Sequence, residues 1–378
     1  MKIIIAPDSF KGSLSSIEVI QAIKEVAVKT FADVEVIGIP IADGGEGTIE
    51  ATLFESEGIT KSINVNNPLG NLIEAEYGII GDTAILEMAA CSGLPLVPDD
   101  KRNPLKTTSI GTGQMIKHVL DEGLRKILIG IGGSATNDGG MGAMQALGAK
   151  FYDSDNRLIK IGCGENLIKV NKICLDNLDK RLSECDISVM CDVTNPLTGS
   201  KGATYVYGQQ KGGTKESLAI LEKGMLHYEV IINELFKKDI SKQAGSGAAG
   251  GMGAALLGFC NAKLVRGIDA VLELKSFREQ IKGADLIITG EGRVDEQSAF
   301  GKVVHGVTVY ANDANVPVVV IAGGLGDGFE SVYDIGVKAV FAIPNRPMSL
   351  ENCMKESNKL IQETTKNIFA IINMINNK

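Results

Sequence analysis

The stretch KIIIAPDSFKGSLSSIEVIQAIKEV, residues 2–26, decides the fold. Residues 3–6 are an apolar run of strand length. Pro7 and Gly12 bracket a loop, and Leu14, Ile17, Ile20, Ile23 and Val26 then recur at helical spacing, with Ser15 or Ser16 as N-cap. Further out, residues 34–41 predict a second strand, which runs into Ala42-Asp43-Gly44-Gly45-Glu46-Gly47-Thr48 and a helix over 49–54. Strand, loop and helix repeated in this way are the grammar of a parallel sheet covered on both faces.

The same grammar returns near the C-terminus. Strands are expected over 285–289, 316–322 and 339–343, followed by a final amphipathic helix over 349–372. The first ends in Gly290-Glu291-Gly292-Arg293 and the second in Gly323-Gly324-Leu325-Gly326, while Pro344 stops the third. Ligands of such sheets sit at strand carboxyl ends, where these loops fall. In the middle, 63–65, 73–78 and 83–88 read as hairpin-like strands. A helix over 112–122 leads to a strand at 126–131, and 187–193 is one more strand. The fold expected is α/β in two domains. Residues 1–64 and 275–378 form a flavodoxin/Rossmann-like parallel sheet with helices on both faces, and residues 65–274 form a mixed α/β domain inserted into it.

Composition narrows the function classes. The chain has 378 residues, 44% hydrophobic and 22% charged, with a formal net charge of −8 and no long basic run. A nucleic-acid partner is not expected, because phosphate-backbone affinity needs a concentrated basic face. Seven cysteines without a CxxC pair read as reduced, packed thiols, and three scattered histidines offer no zinc set. A metal would then have oxygen ligands, which suits magnesium. No apolar stretch of about 20 residues is present to span a bilayer, and the opening apolar run is too short for a signal-peptide core. A cytoplasmic protein is expected, with homo-oligomerisation left open.

The 45 glycines gather in clusters beside acidic residues. Clustered glycine marks tight turns and places where backbone approaches a ligand or another backbone. In Asp8-Ser9-Phe10-Lys11, Lys11 would hold a phosphate or a carboxylate with Ser9 beside it, and Asp8 would be a base or a magnesium ligand. Asp43 and Glu46 place two carboxylates in a glycine loop, Asp43 as metal ligand and Gly44 and Gly45 as cradle. In Gly132-Gly133-Ser134-Ala135-Thr136-Asn137-Asp138, consecutive small residues would wrap a phosphate. Gly132, Gly133, Ser134 and Thr136 would bind and Asp138 would meet the metal. Asp192 and Asn195 offer oxygen donors to metal and substrate. Gly290 and Glu291 open the loop in which Arg293 would capture an anion and Asp295 is a candidate base, with Lys302 a few residues on. Each motif alone has a plainer reading as a turn, a cap, a packing corner or a surface ion pair. Residues 245–250 match GxGxxG, but no strand precedes them, so a dinucleotide fingerprint is rejected and Gly247 is kept as a phosphate or substrate loop. There is no Walker-type loop.

In order along the chain, APDSFKGSLS, ADGGEGT, GIGGSATNDGGMG, CDVTNPL, GSGAAGGMG and TGEGRVDEQS resemble the type I glycerate kinase family. The resemblance runs from residue 1 to the C-terminal helix. It implies a two-domain α/β enzyme that phosphorylates D-glycerate with ATP and magnesium at an interdomain cleft, with 2-phosphoglycerate favoured as product. The alternatives carried are a kinase of another small hydroxy or sugar acid, and a non-catalytic sugar-acid sensor.

Overall fold

The computed structural model describes residues 1–42 and 44–376. Its strands, in chain order, are β1 Lys2–Ile5, β2 Glu35–Gly38, β3 Ile59–Asn66, β4 Leu72–Ile80, β5 Thr83–Glu87, β6 Lys126–Gly130, β7 Lys150–Tyr152, β8 Lys172–Cys174, β9 Asp186–Met190, β10 Lys263–Val265, β11 Leu286–Glu291, β12 Val318–Ala322 and β13 Ala339–Ala342. The chain divides into two compact units. One comprises Met1–Ala42, Glu50–Ser56 and the described chain from Ile268 on; the other comprises the loop ending at Ile49 and Glu57–Gly267.

In the first unit all five strands are parallel, in the order β13-β12-β11-β1-β2. Ile3, Ile4 and Ile5 are fully buried, so successive side chains on both faces of β1 need cover. On one face, helices Ser16–Thr30 and Leu350–Asn376 bring Val19, Ile20, Ile23, Leu360, Ile361 and Phe369 against Ile3, Ile5, Ile288 and Ile321. Each such buried aliphatic side chain contributes on the order of 1.5–3 kcal/mol. Helix Val303–Asp313 packs along β11 and β12. The N-cap expected near Ser15 is a full capping box. Ser15 Oγ accepts from the Glu18 N–H at 3.2 Å, and Glu18 Oε2 accepts from the Ser15 N–H at 2.7 Å. This is the doubly wound α/β arrangement expected, and the switch point lies where β1 meets β11.

The second unit holds a six-stranded mixed sheet, β10-β9-β6-β5-β4-β3. Strands β5, β6, β9 and β10 are parallel, while β3, β4 and β5 run antiparallel as the hairpin pattern predicts. Strands β7 and β8 form a separate ribbon. The longest helix here, Lys215–Phe236, has no counterpart in the sequence reading. Its signals are nonetheless regular: a Thr214–Ser217 capping box, and Leu218, Leu221, Met225, Tyr228 and Ile232 buried at helical spacing. Among the described residues, all seven cysteines are free and no helix is long and apolar enough to cross a membrane.

Candidate active site

In the first unit the loops that follow β1 and β11 leave neighbouring strand ends, and the segment after β1 is bonded along the end of β11. The Ala6 N–H donates to the Ile288 carbonyl and the Asp8 N–H to the Gly290 carbonyl, both at 2.8 Å, and Thr289 Oγ1 donates to the Ala6 carbonyl at 2.7 Å. A Cβ on Gly290 would stand 2.1 Å from the Ile321 carbonyl oxygen, so close strand approach requires glycine there. The loop after β1 thereby starts next to Glu291, and a Cβ on Gly292 would stand 3.4 Å from the Lys11 backbone nitrogen, whereas Arg293 and Asp295 lie against Gly326 of the loop after β12. Asp8 Oδ1 accepts from the Ser9 N–H at 2.7 Å, and Lys11 is exposed.

Glu291 is buried, and its Oε1 has no hydrogen-bond partner among the described residues. Burial pushes its carboxyl above the ordinary glutamate value, while the Ser298 hydroxyl and the charge of Lys302 pull it back. Asp295 caps the short turn Glu296–Ala299, its Oδ1 accepting from the Gln297 N–H at 3.0 Å. Its other oxygen lies 3.7 Å from Arg293 Nε, and the Arg293 side chain is 69% exposed. An exposed guanidinium held by one loose ion pair is free to meet an anion.

In the second unit, Glu87, Gly130 and Met190 are paired across β5, β6 and β9, so the loops after these strands start at one level. The Gly44–Gly47 loop lies on them. The Gly132 N–H donates to the Gly44 carbonyl at 3.0 Å, and a Cβ on Gly130 would stand 2.3 Å from that same oxygen. Backbone packed on backbone accounts for Gly44, Gly130 and Gly132, and Gly45 touches Gly132 in the same way. Gly133, in the left-handed region at φ +69°, is exposed. Sequence reasoning missed Glu87, a buried carboxylate at the end of β5. Its Oε1 accepts from the Ile49 N–H at 2.5 Å, and it takes further hydrogen bonds from the Gly47 and Thr48 backbone. It thus serves the N-terminus of helix Thr48–Leu53. Burial nevertheless pushes its carboxyl above the ordinary value, against those hydrogen bonds.

Asp138 is wholly buried. Oδ2 accepts from the Ser109 N–H (2.9 Å), Ser109 Oγ (2.7 Å) and the Gly142 N–H (3.2 Å), and Oδ1 accepts from the Gly140 N–H (3.1 Å). Burial pushes its carboxyl up while these donors pull it down. These four donors tie Asp138 to its own loop, and a magnesium ion bound there would have to share or displace them. Ser134 and Thr136 lie along the same loop, both tied to Lys211, a buried lysine outside every motif.

Asp192 follows β9, where its Oδ1 accepts from the Gly267 N–H at 2.9 Å. Asn195 has both ends of its carboxamide engaged, to the Lys201 carbonyl and the Tyr207 hydroxyl at 2.7 Å each, and its carbonyl accepts from the Gly247 N–H at 3.0 Å. Asp43 lies outside the described residues. Among the described residues no three His, Cys, Asp or Glu side chains are grouped to hold a metal ion. Magnesium in phosphoryl-transfer sites takes one or two carboxylates plus phosphate oxygens, so a three-residue cage is not what it requires.

A doubly wound sheet with polar loops at its switch point, joined in one chain to a second sheet crowned by glycine loops, has the α/β architecture of enzymes that act on small molecules. Residues 3–373 match the glycerate kinase family. A glycerate 2-kinase of Escherichia coli strain K12 is 45% identical over 98% of each chain, and a glycerate kinase of Halalkalibacterium halodurans is 43% identical over 98% of this chain and 97% of its own. The crystal structure of a protein assigned as glycerate kinase 2 from Salmonella typhimurium LT2 superposes with a TM-score of 0.88 at 45% identity, covering all of both chains. The chain belongs to the glycerate kinase family.

Proposed function

We propose that this chain transfers a phosphoryl group from MgATP to D-glycerate, releasing ADP and 2-phosphoglycerate. The observation that supports the reading is the bonding of the β1 loop to the end of β11, through the Asp8 N–H and the Gly290 carbonyl, so that the loops carrying Asp8 and Lys11 and carrying Glu291, Arg293 and Asp295 start from neighbouring strands at the switch point. Phosphoryl transfer is mainly positioning and electrostatics, and these are the parts it needs. Lys11 and Arg293 supply the cations for carboxylate and phosphate. Asp8 or Asp295 takes the proton of the attacking hydroxyl. When bound with ATP, magnesium neutralises the phosphate oxygens; Glu291, with its orphaned oxygen, is a carboxylate suited to hold it, while Asp43 and Asp192 rest on the sequence pattern alone. The preference for the 2-hydroxyl follows the name of the Escherichia coli relative. A cytoplasmic setting belongs to the same reading, since ATP is the donor.

The test is ADP release on mixing the full chain with MgATP and D-glycerate, with phosphorus NMR of the product. Glycerate-dependent turnover and a 2-phosphoglycerate signal are expected. Turnover only with other hydroxy acids would move the substrate, and silence with all of them would refute the kinase reading.

A further inference from the structure

Lys211 ends the short turn Gln209–Lys211, far from every motif, and is 2% exposed. Its Nζ reaches back to donate to Ser134 Oγ at 2.8 Å and to the Thr136 carbonyl at 2.7 Å. A lysine ammonium is costly to bury, so its place here requires strong compensating contacts. The flanks of the loop are pinned by other groups. The Leu94 N–H donates to the Gly133 carbonyl at 2.8 Å, the Ala135 N–H to the Ser92 carbonyl at 2.9 Å, and Thr107 Oγ1 to the Ala135 carbonyl at 3.0 Å, beyond which Asp138 sits in its cage. Between these pins the loop's own buried side chains do little. Thr136 Oγ1 and both polar atoms of Asn137 have no hydrogen-bond partner among the described residues. The inner tether of the loop is therefore Lys211, and its outer lip is exposed Gly133, with Ser134 buried just behind it.

We propose that Lys211 is a positioning residue of the kinase reaction. By drawing Ser134 and Thr136 onto one amine, it sets the Gly133 and Ser134 backbone amides and the Ser134 hydroxyl for an anionic group of the substrate, a phosphate or a carboxylate. The inference rests on the kinase reading above. It adds a residue that touches no substrate and acts through the loop.

The full chain carrying Lys211→Met or Lys211→Gln tests it, with kcat and KM measured separately for MgATP and D-glycerate and the folded fraction followed by circular dichroism. Methionine fills the space without a donor; glutamine keeps a donor on a shorter side chain. Positioning predicts a fall of about 10²-fold in kcat/KM for the methionine variant, with KM raised for one substrate and not the other, and a smaller loss for glutamine. A lysine that merely supports the fold would lower the active fraction and leave both KM values unchanged; folded variants behaving so overturn the proposal. Should the methionine variant fail to fold, the glutamine variant decides by the same criterion. Wild type without glycerate-dependent turnover would sink the kinase reading, whereas wild-type turnover with kinetically unaffected variants would sink the positioning role alone.

Discussion

Replacing Asp138 by alanine removes the acceptor of four hydrogen bonds at once: from the Ser109 N–H, Ser109 Oγ, the Gly140 N–H and the Gly142 N–H. Each buried donor left unmatched costs roughly 1–3 kcal/mol, but donors in one loop relax together and do not add. The expected loss is about 3–5 kcal/mol, in the range for breaking a buried charged network. In a unit of this size, each kcal/mol lowers Tm by roughly 2–4 °C, so a fall of about 6–20 °C is expected. Asp138→Asn is the finer probe. Its amide oxygen can take the Oδ2 place and keep three donors, leaving the NH2 group against the Gly140 N–H, for a loss of about 1–3 kcal/mol. The assay is thermal and urea unfolding of the full chain without magnesium, followed by magnesium titration of activity in the asparagine variant. A loop-holding carboxylate lowers metal-free stability and leaves the magnesium requirement of the folded enzyme near that of wild type. Unchanged metal-free stability with a strongly raised magnesium requirement would refute the reasoning and restore the metal role.

Gly250→Ala should be among the most damaging single changes, because the residue sits at φ +70° and its Cβ would lie 2.1 Å from the Thr136 carbonyl oxygen. A loss above about 4 kcal/mol in urea unfolding is expected, and wild-type stability would show that the loop yields freely. Arg293→Ala should do the opposite, changing stability by less than about 0.5 kcal/mol while lowering kcat/KM by about 10²-fold. An active variant would remove Arg293 from the site. Stability should also depend on pH through Lys211. Burial pushes its amine down to about 7 from the ordinary 10.5, with Asp138 pulling it back up. Below that value both folded and unfolded chains carry the proton; above it the unfolded chain holds a proton the folded chain lacks, so stability rises with pH until the ordinary value is passed. Urea midpoints of wild type should therefore climb relative to Lys211→Met between about pH 7 and 9.5, and parallel curves would refute the assignment.

The parts of the fold legible in the sequence are those written locally. The β-branched run at Ile3–Ile5 and the Ser15–Glu18 box carry their own instructions, in side-chain alternation and in a cap four residues long. Helix Lys215–Phe236 was written as locally and simply went unread. The loops of the candidate site were legible too, because glycine beside acidic residues at a strand end is a pattern of neighbours.

The duties of single side chains inside those loops were not. Ser109, which supplies two of the four donors to Asp138, lies 29 residues from it. Nothing near Asn195 in the chain shows that Tyr207 donates to its carboxamide oxygen. Glu87 and Lys211 belong to no motif, and Lys211 meets Ser134 across 77 residues. The amino-acid sequence by itself determined where strands end and which loops hold polar groups, since propensity, capping and turn chemistry act over a few residues. Only the tertiary structure decided which of those polar groups are already satisfied from within, because a buried donor and its acceptor need to be neighbours in space and not in the chain.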